Sequence, residues 1–165
     1  MSTRGATSLE GAVVSIHVAQ SAGQAMETRD EVELVAGQGI PGDRYHSGRG
    51  EFSPTPMDPD HELTLIALEE VEAFNRKAGQ AMAPGEFRRN VVTRGVDLNQ
   101  LVGMDFRLGS TVVRGIRLCE PCAYLARATC REVIPHLVGH GGLRAGIVQG
   151  GRLRIGDPVQ FVKGG

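Results

Sequence analysis

Net charge is almost absent from this chain: 18 lysines and arginines stand against 19 aspartates and glutamates, for a formal net charge of -1. That balance offers no electrostatic footprint for nucleic acid or an anionic lipid surface. Long apolar runs are missing as well. The stretch between Glu10 and His17 is too short for the core of a secretory leader and nothing suggests a membrane span, so the expected compartment is the cytoplasm. Cysteine is scarce. Three in 165 residues make no disulfide framework, and in a reducing compartment they are expected to be free, catalytic or metal-binding. There is no internal repeat, and no low-complexity tract beyond glycine-rich loops.

What is present is glycine: 23 residues, which with eight prolines imply many turns and many short strands. Hydrophobic residues at 41 % and charged residues at 22 % are ordinary globular usage, and the length fits one domain, expected over residues 9–163 after a disordered Met1–Ser8. Strands are expected at Gly11–Val18, Glu31–Val35, Glu62–Ile66, Phe87–Arg94, Phe106–Gly109, Ser110–Leu118, Ala145–Gln149, Gly151–Ile155 and Asp157–Val162. Leu68–Ala78 has helical spacing, acidic first turns and a stop at Gly79. A second helix is expected over Ala123–Val138, broken near Ile134 by Pro135. The class is therefore mainly β, a barrel with a few short helices packed at its ends.

Three polar groupings stand out against that scaffold. Gly37, Gly39 and Gly42 form a literal G-x-G-x-x-G, but Pro41, Gly48 and Gly50 surround it and no helical period follows, so it is no dinucleotide fingerprint. It reads as a tight turn presenting Asp43, Arg44 and His46, with the Asp-Arg pair serving as a salt bridge or turn cap. The strand Phe87–Arg94 places Arg88 and Asn90 on one face by alternation, a cation beside an amide suited to a phosphate or a heterocycle edge. The plainer reading is a solvated edge strand. His17, inside the first strand, reads as a partly buried histidine with one hydrogen bond.

The third grouping is Cys119-Glu-Pro-Cys122, two thiols bracketing a proline where a strand should stop. A thioredoxin-like pair would follow the first strand of a strand-helix unit, and this one follows a hairpin in the last third of the chain. Zinc could recruit Cys119, Cys122, Cys130 and His136 or His140, although the spacing is no standard finger. A single functional thiolate at Cys122, binding a metal or carrying sulfur, is the third reading, and buried cysteines acting as small hydrophobes the fourth.

Taken in order, Gly39-Ile-Pro-Gly-Asp-Arg44, Phe87-Arg-Arg-Asn90, Asp97-Leu98, Cys119-Glu-Pro-Cys122, Gly150 and Gly156-Asp157 resemble the MOSC domain, named for the C-terminal part of molybdenum cofactor sulfurase. The similarity runs from about Leu9 to Val162. It implies a β-barrel of the pyruvate kinase kind and a site for molybdenum cofactor, a pterin dithiolene carrying the metal. The resemblance matches Cys122 to the family's metal-binding and catalytic thiolate, and Arg44, Arg88 and Asn90 to its cofactor-holding residues. Soft thiolates suit such a metal, and arginine forks suit phosphate.

The resemblance also implies two possible activities. One is reduction of N-hydroxylated compounds with electrons from a partner reductase. The other is a non-catalytic sulfur or cofactor carrier working with a cysteine desulfurase, where pyridoxal phosphate enters only through that partner. His46 and His140 are candidate proton donors because imidazole titrates near neutrality. Compared with larger relatives of that kind, the sequence shows no additional N-terminal barrel to help enclose the cofactor.

Overall fold

Alternating apolar residues make β1 (Gly11–Val18) a strand with Val13, Ile16 and Val18 turned to the interior. Val13 and Ile16 are three apart, and they share a side because the pairing register slips at a β-bulge between Val13 and Ser15. The computed structural model describes residues 11–21, 24–43, 62–119 and 136–162. After β1 come β2 (Glu27–Arg29), β3 (Glu31–Leu34), β4 (Leu63–Ala67), α1 (Leu68–Ala78) and β5 (Val91–Arg94). Then follow β6 (Asp105–Leu108), β7 (Thr111–Leu118), β8 (Leu143–Gln149), β9 (Gly151–Arg154) and β10 (Pro158–Phe161). Two 3-10 turns, Pro84–Phe87 and Leu98–Leu101, flank β5.

Seven of these strands close a barrel in the order β10, β6, β7, β8, β4, β5, β1, with β1 pairing back onto β10. Every pairing around it is antiparallel except β4 with β5, which α1 connects. The mainly β barrel expected from the sequence is thus the observed fold. β2 extends the sheet from β1, and β3 pairs separately with β9. Period-two alternation sends Leu63, Leu65 and Ala67 of β4, Val91 of β5, Val113 of β7 and Leu143, Ala145 and Ile147 of β8 into the closed interior. Removing that apolar surface from water is the main force holding the strands in register.

The outward residues of β4 and β5 meet a second core. Ile66 and Val92 pack with Val71 and Phe74 of α1, with Phe87, and with Leu137. Phe74 and Phe87 meet edge to face, ring centroids 5.3 Å apart. Gly79 ends α1 in the left-handed conformation, as its sequence position predicts. Asn75 then bonds both the N–H and the carbonyl of Met82, turning the chain back toward the barrel.

Two local expectations give way. β2 has no period of its own in three exposed or half-exposed residues, and only its pairing with β1 makes it a strand. The strand expected over Phe87–Arg94 starts at Val91, because Pro84 opens a 3-10 turn and Arg88 closes it at φ 63°. Arg88 is the only non-glycine residue with positive φ among the described residues, a conformation costing about 1–2 kcal/mol. Of the helix expected over Ala123–Val138, residues up to 135 lie outside the described part of the chain.

Candidate functional site

If Leu63 and Leu65 face inward, Thr64 faces out, and the same logic applied to each neighbour draws a polar row across the outer wall. His17 of β1 donates its N–H to the carbonyl of Asn90, and Asn90 is bonded to Thr64 of β4. Thr64 pairs with Arg144 of β8, and Arg144 pairs with Arg117 of β7. Five strands or strand ends therefore line up His17, Asn90, Thr64, Arg144 and Arg117 on one surface.

Asn90 is the fixed centre of that row. It is fully buried, its amide oxygen accepts from the N–H and the hydroxyl of Thr64 at 3.1 and 3.2 Å, and its amide nitrogen donates to the carbonyl of His17 at 3.1 Å. Its own N–H donates to the Thr64 hydroxyl. Arg88 precedes the strand rather than lying in it. It sits in the left-handed conformation that closes the 3-10 turn, and its side chain donates to the carbonyl of Gln24 at 2.6 Å and lines a cleft together with His17.

Arg89 leaves in the other direction. Buried to 7 % exposure, it donates from Nε to the carbonyl of Gly141 at 2.9 Å and from Nη2 to the carbonyl of Cys119 at 3.3 Å. Cys119 is itself buried, and its N–H donates to the carbonyl of Gly142. A side chain at Gly141 would strike the Cys119 carbonyl, and one at Gly142 the Leu65 carbonyl, so the glycine pair lets three segments of backbone meet. Arg89 thus clamps the end of β7 at the point where the chain departs for Cys122.

The cleft beside Arg88 has a volume of about 760 Å³. Its walls are mostly apolar, with Val14, Ala25, Met26, Ala83 and Pro84 around His17. His17 lies against the 3-10 turn because Gly85 has no side chain; a Cβ there would come within 2.9 Å of the imidazole. Nε2 of His17 shares a 2.8 Å hydrogen bond with the Ser15 hydroxyl, and burial pushes the imidazole pKa down, keeping the ring neutral at physiological pH. His140 belongs to a different cleft, of about 390 Å³, where its Nδ1 lies 3.0 Å from Glu70.

The other residues singled out in the sequence fall as follows. Arg44, His46, Cys122 and Cys130 lie outside the described residues. Asp43, immediately before Arg44, is buried and accepts the N–H of Ala19 at 3.1 Å, so the glycine-rich turn is tied to the end of β1. Among the described residues, no three His, Cys, Asp or Glu side chains converge as a metal-binding group. None of the described helices is long and apolar enough to cross a membrane.

Arg144 was not apparent as a site residue from sequence. It sits in an ordinary alternating strand, and only the pairing of β8 with both β4 and β7 brings it onto the row. Its Nε and Nη1 are closed to solvent and have no hydrogen-bond partner among the described residues. The signal available in sequence was an arginine at an outward position between Leu143 and Ala145, which by itself reads as a solvated charge.

A closed seven-stranded barrel with one wall-packed helix defines the class of protein. Residues 43–160 match the family model described as the MOSC domain, and the chain belongs to that family. Among solved structures it is similar to the YuaD protein of Bacillus subtilis, with 17 % identity, a TM-score of 0.80, and 93 % of this chain and 96 % of that one covered. It is also similar to YiiM from Geobacillus stearothermophilus, with 16 % identity, a TM-score of 0.72 and coverage of 93 % and 75 %. YiiM from Escherichia coli shares 20 % identity at a TM-score of 0.65, with 92 % and 71 % covered. No curated protein matches the sequence.

Proposed function

We propose that this MOSC protein binds molybdenum cofactor and reduces N-hydroxylated compounds with electrons from a partner reductase. The observation that carries the reading is Arg144: a guanidinium with buried, unsatisfied donors on the same wall as the clamped segment leading to Cys122. A cofactor with a phosphate and a soft metal needs a cationic seat and a thiolate, and this donor set fits both.

In this reading Cys122 is the metal's protein ligand and the catalytic thiolate, while Arg44, Arg88 and Asn90, joined by Arg144, hold the phosphate and the pterin edge. When bound, the cofactor supplies two-electron reduction. Asn90 contributes by fixing the base of the row, since its oxygen already accepts twice from Thr64. Arg89 holds the Cys119 carbonyl, three residues before Cys122 in sequence, and so fixes the end of β7. The apolar cleft receives the organic body of the substrate, and the neutral His17, bonded to Ser15, holds a proton that can be exchanged there.

The test is elemental analysis and oxidised-pterin fluorescence on protein co-expressed with cofactor biosynthesis, compared with Cys122→Ala. Near-stoichiometric molybdenum and pterin in the wild type, with metal lost from the variant and hydroxylamine reduction by the wild type, is the expected result. Wild-type protein carrying neither molybdenum nor pterin, under conditions that load another member of the family, overturns the reading.

A further inference from the structure

Gly85 does not lie in the left-handed region, so its backbone does not call for glycine. The ring of His17 does: a Cβ at residue 85 would stand 2.9 Å from both Nδ1 and Cε1. The imidazole edge that carries Nδ1 therefore faces the space a side chain would fill. His17 is 6 % exposed, its Nε2 is taken by the Ser15 hydroxyl at 2.8 Å, and Nδ1 has no hydrogen-bond partner among the described residues. A buried polar atom left open in this way, on the wall of a cleft of about 760 Å³, is a place where a ligand completes the bonding.

The walls define that ligand. Val14, Ala25, Met26, Ala83 and Pro84 offer apolar surface, in a volume that takes a bicyclic ring. Among the described lining residues only Glu86 and Arg88 carry charge. Glu86 accepts the N–H of Ala83 at 2.9 Å and Arg88 donates to the carbonyl of Gln24, so both are engaged by the backbone. A charged ligand would leave water for apolar walls with no free counter-charge, which costs far more than burying an amide that finds a partner. The Ser15 hydroxyl can donate to Nε2 or accept from it, so Nδ1 meets a ligand as acceptor or as donor. An amide edge, with a carbonyl beside an N–H, satisfies either.

We infer that the His17 and Gly85 wall of this cleft recognises an uncharged aromatic molecule with an amide-like polar edge, bonded to Nδ1 of His17, and that Gly85 sets this specificity by leaving that edge open. The inference deepens the proposed function by naming the part of a substrate that the cleft takes. It rests on that reading only for calling the ligand a substrate, since the binding itself needs no cofactor.

The test uses cofactor-free protein from cells lacking pterin biosynthesis, titrated by calorimetry with three probes of nearly equal shape: naphthamide, naphthoate and naphthamidine. Saturable naphthamide binding is expected, about tenfold or more tighter than that of either charged probe. In protein with isotope-labelled histidine, naphthamide should shift the Nδ1 resonance of one imidazole in nitrogen NMR, a signal absent from His17→Phe. Gly85→Ala should weaken naphthamide by about tenfold, because its methyl group crowds the Nδ1 edge. The NMR shift is read in the wild type, so it decides the contact even where a variant fails to fold. No saturable naphthamide binding, a charged probe bound as tightly, or a His17 resonance that stays in place overturns the inference. Cofactor-loaded protein should still bind naphthamide; loss of that binding would assign the cleft to the pterin and overturn the inference as well. Wild-type protein that never carries molybdenum or pterin sinks the proposed function and leaves the naphthamide result standing.

Discussion

Replacing Asn90 with alanine deletes three side-chain hydrogen bonds, two received from Thr64 and one given to His17. The Thr64 hydroxyl still accepts the N–H of residue 90, but the Thr64 N–H and the His17 carbonyl lose their amide partner in a site of zero exposure at residue 90. Each buried backbone group left without a partner costs about 1–3 kcal/mol, so the expected loss is about 2–5 kcal/mol. Measured against the ~5–15 kcal/mol typical of whole domains, that is a large share. With a urea dependence of about 2 kcal/mol per molar, the unfolding midpoint should fall by roughly 1–2.5 M. Equilibrium urea denaturation followed by far-ultraviolet circular dichroism reads this directly. Asn90→Asp should also be destabilised, because it keeps the acceptors for Thr64 and sets a carboxylate oxygen against the His17 carbonyl. A midpoint within about 0.3 M of wild type for Asn90→Ala would refute the argument that this amide joins β1 to β4.

Three further outcomes are expected. Arg89→Ala removes the clamp on the Gly141 and Cys119 carbonyls, which should cost about 2–4 kcal/mol and speed alkylation of Cys119, now 1 % exposed. Unchanged labelling at Cys119 by peptide mass spectrometry would count against the clamp. Thr93 has a buried hydroxyl with no partner among the described residues, so Thr93→Val should stabilise by about 1 kcal/mol, and a loss of stability in thermal unfolding would reveal a paired hydroxyl. His17 has a lowered pKa, so the unfolded chain takes up the proton first as pH falls. Its contribution to stability is complete above the ordinary pKa of about 6.5 and declines below it; His17→Gln should flatten that part of the pH profile, and parallel profiles would exclude the effect.

The polar row and the apolar cleft meet at His17, whose backbone bonds Asn90 and whose ring faces the cleft. A group held on the wall and a molecule lodged in the cleft would therefore share one anchoring residue. This arrangement depends on β1 being bulged after Val13: the slip restores Ile16 and Val18 to the core and so leaves His17 facing outward. A histidine placed one residue either way would point into the barrel.

The barrel, its helix and most strand positions were legible in the order of residues. α1 begins and ends where acidic first turns and Gly79 mark it, and the turn at Gly109 and Ser110 joins β6 to β7 as expected. These features follow from short-range causes: side-chain period, turn-forming glycine and helix-stopping residues. The sequence of short motifs was also sufficient to resemble the MOSC family, to which the chain belongs.

What only the tertiary structure decided are the partnerships between distant strands. Alternation placed Arg88 and Asn90 in one strand, but Arg88 closes a 3-10 turn in the left-handed conformation and the strand begins at Val91, and no local period reveals a backbone turned by a preceding 3-10 helix. Arg89 reaches Gly141, 52 residues on, and Cys119, 30 residues on, because the sheet order β7, β8, β4, β5 brings the end of β7 and the start of β8 near the start of β5. Arg144 acquires meaning from its position between Thr64 and Arg117, which is a matter of register. Sequence determines which way each side chain faces along its own strand; the pairing of strands, set by how the shared core fills, determines which outward groups stand side by side.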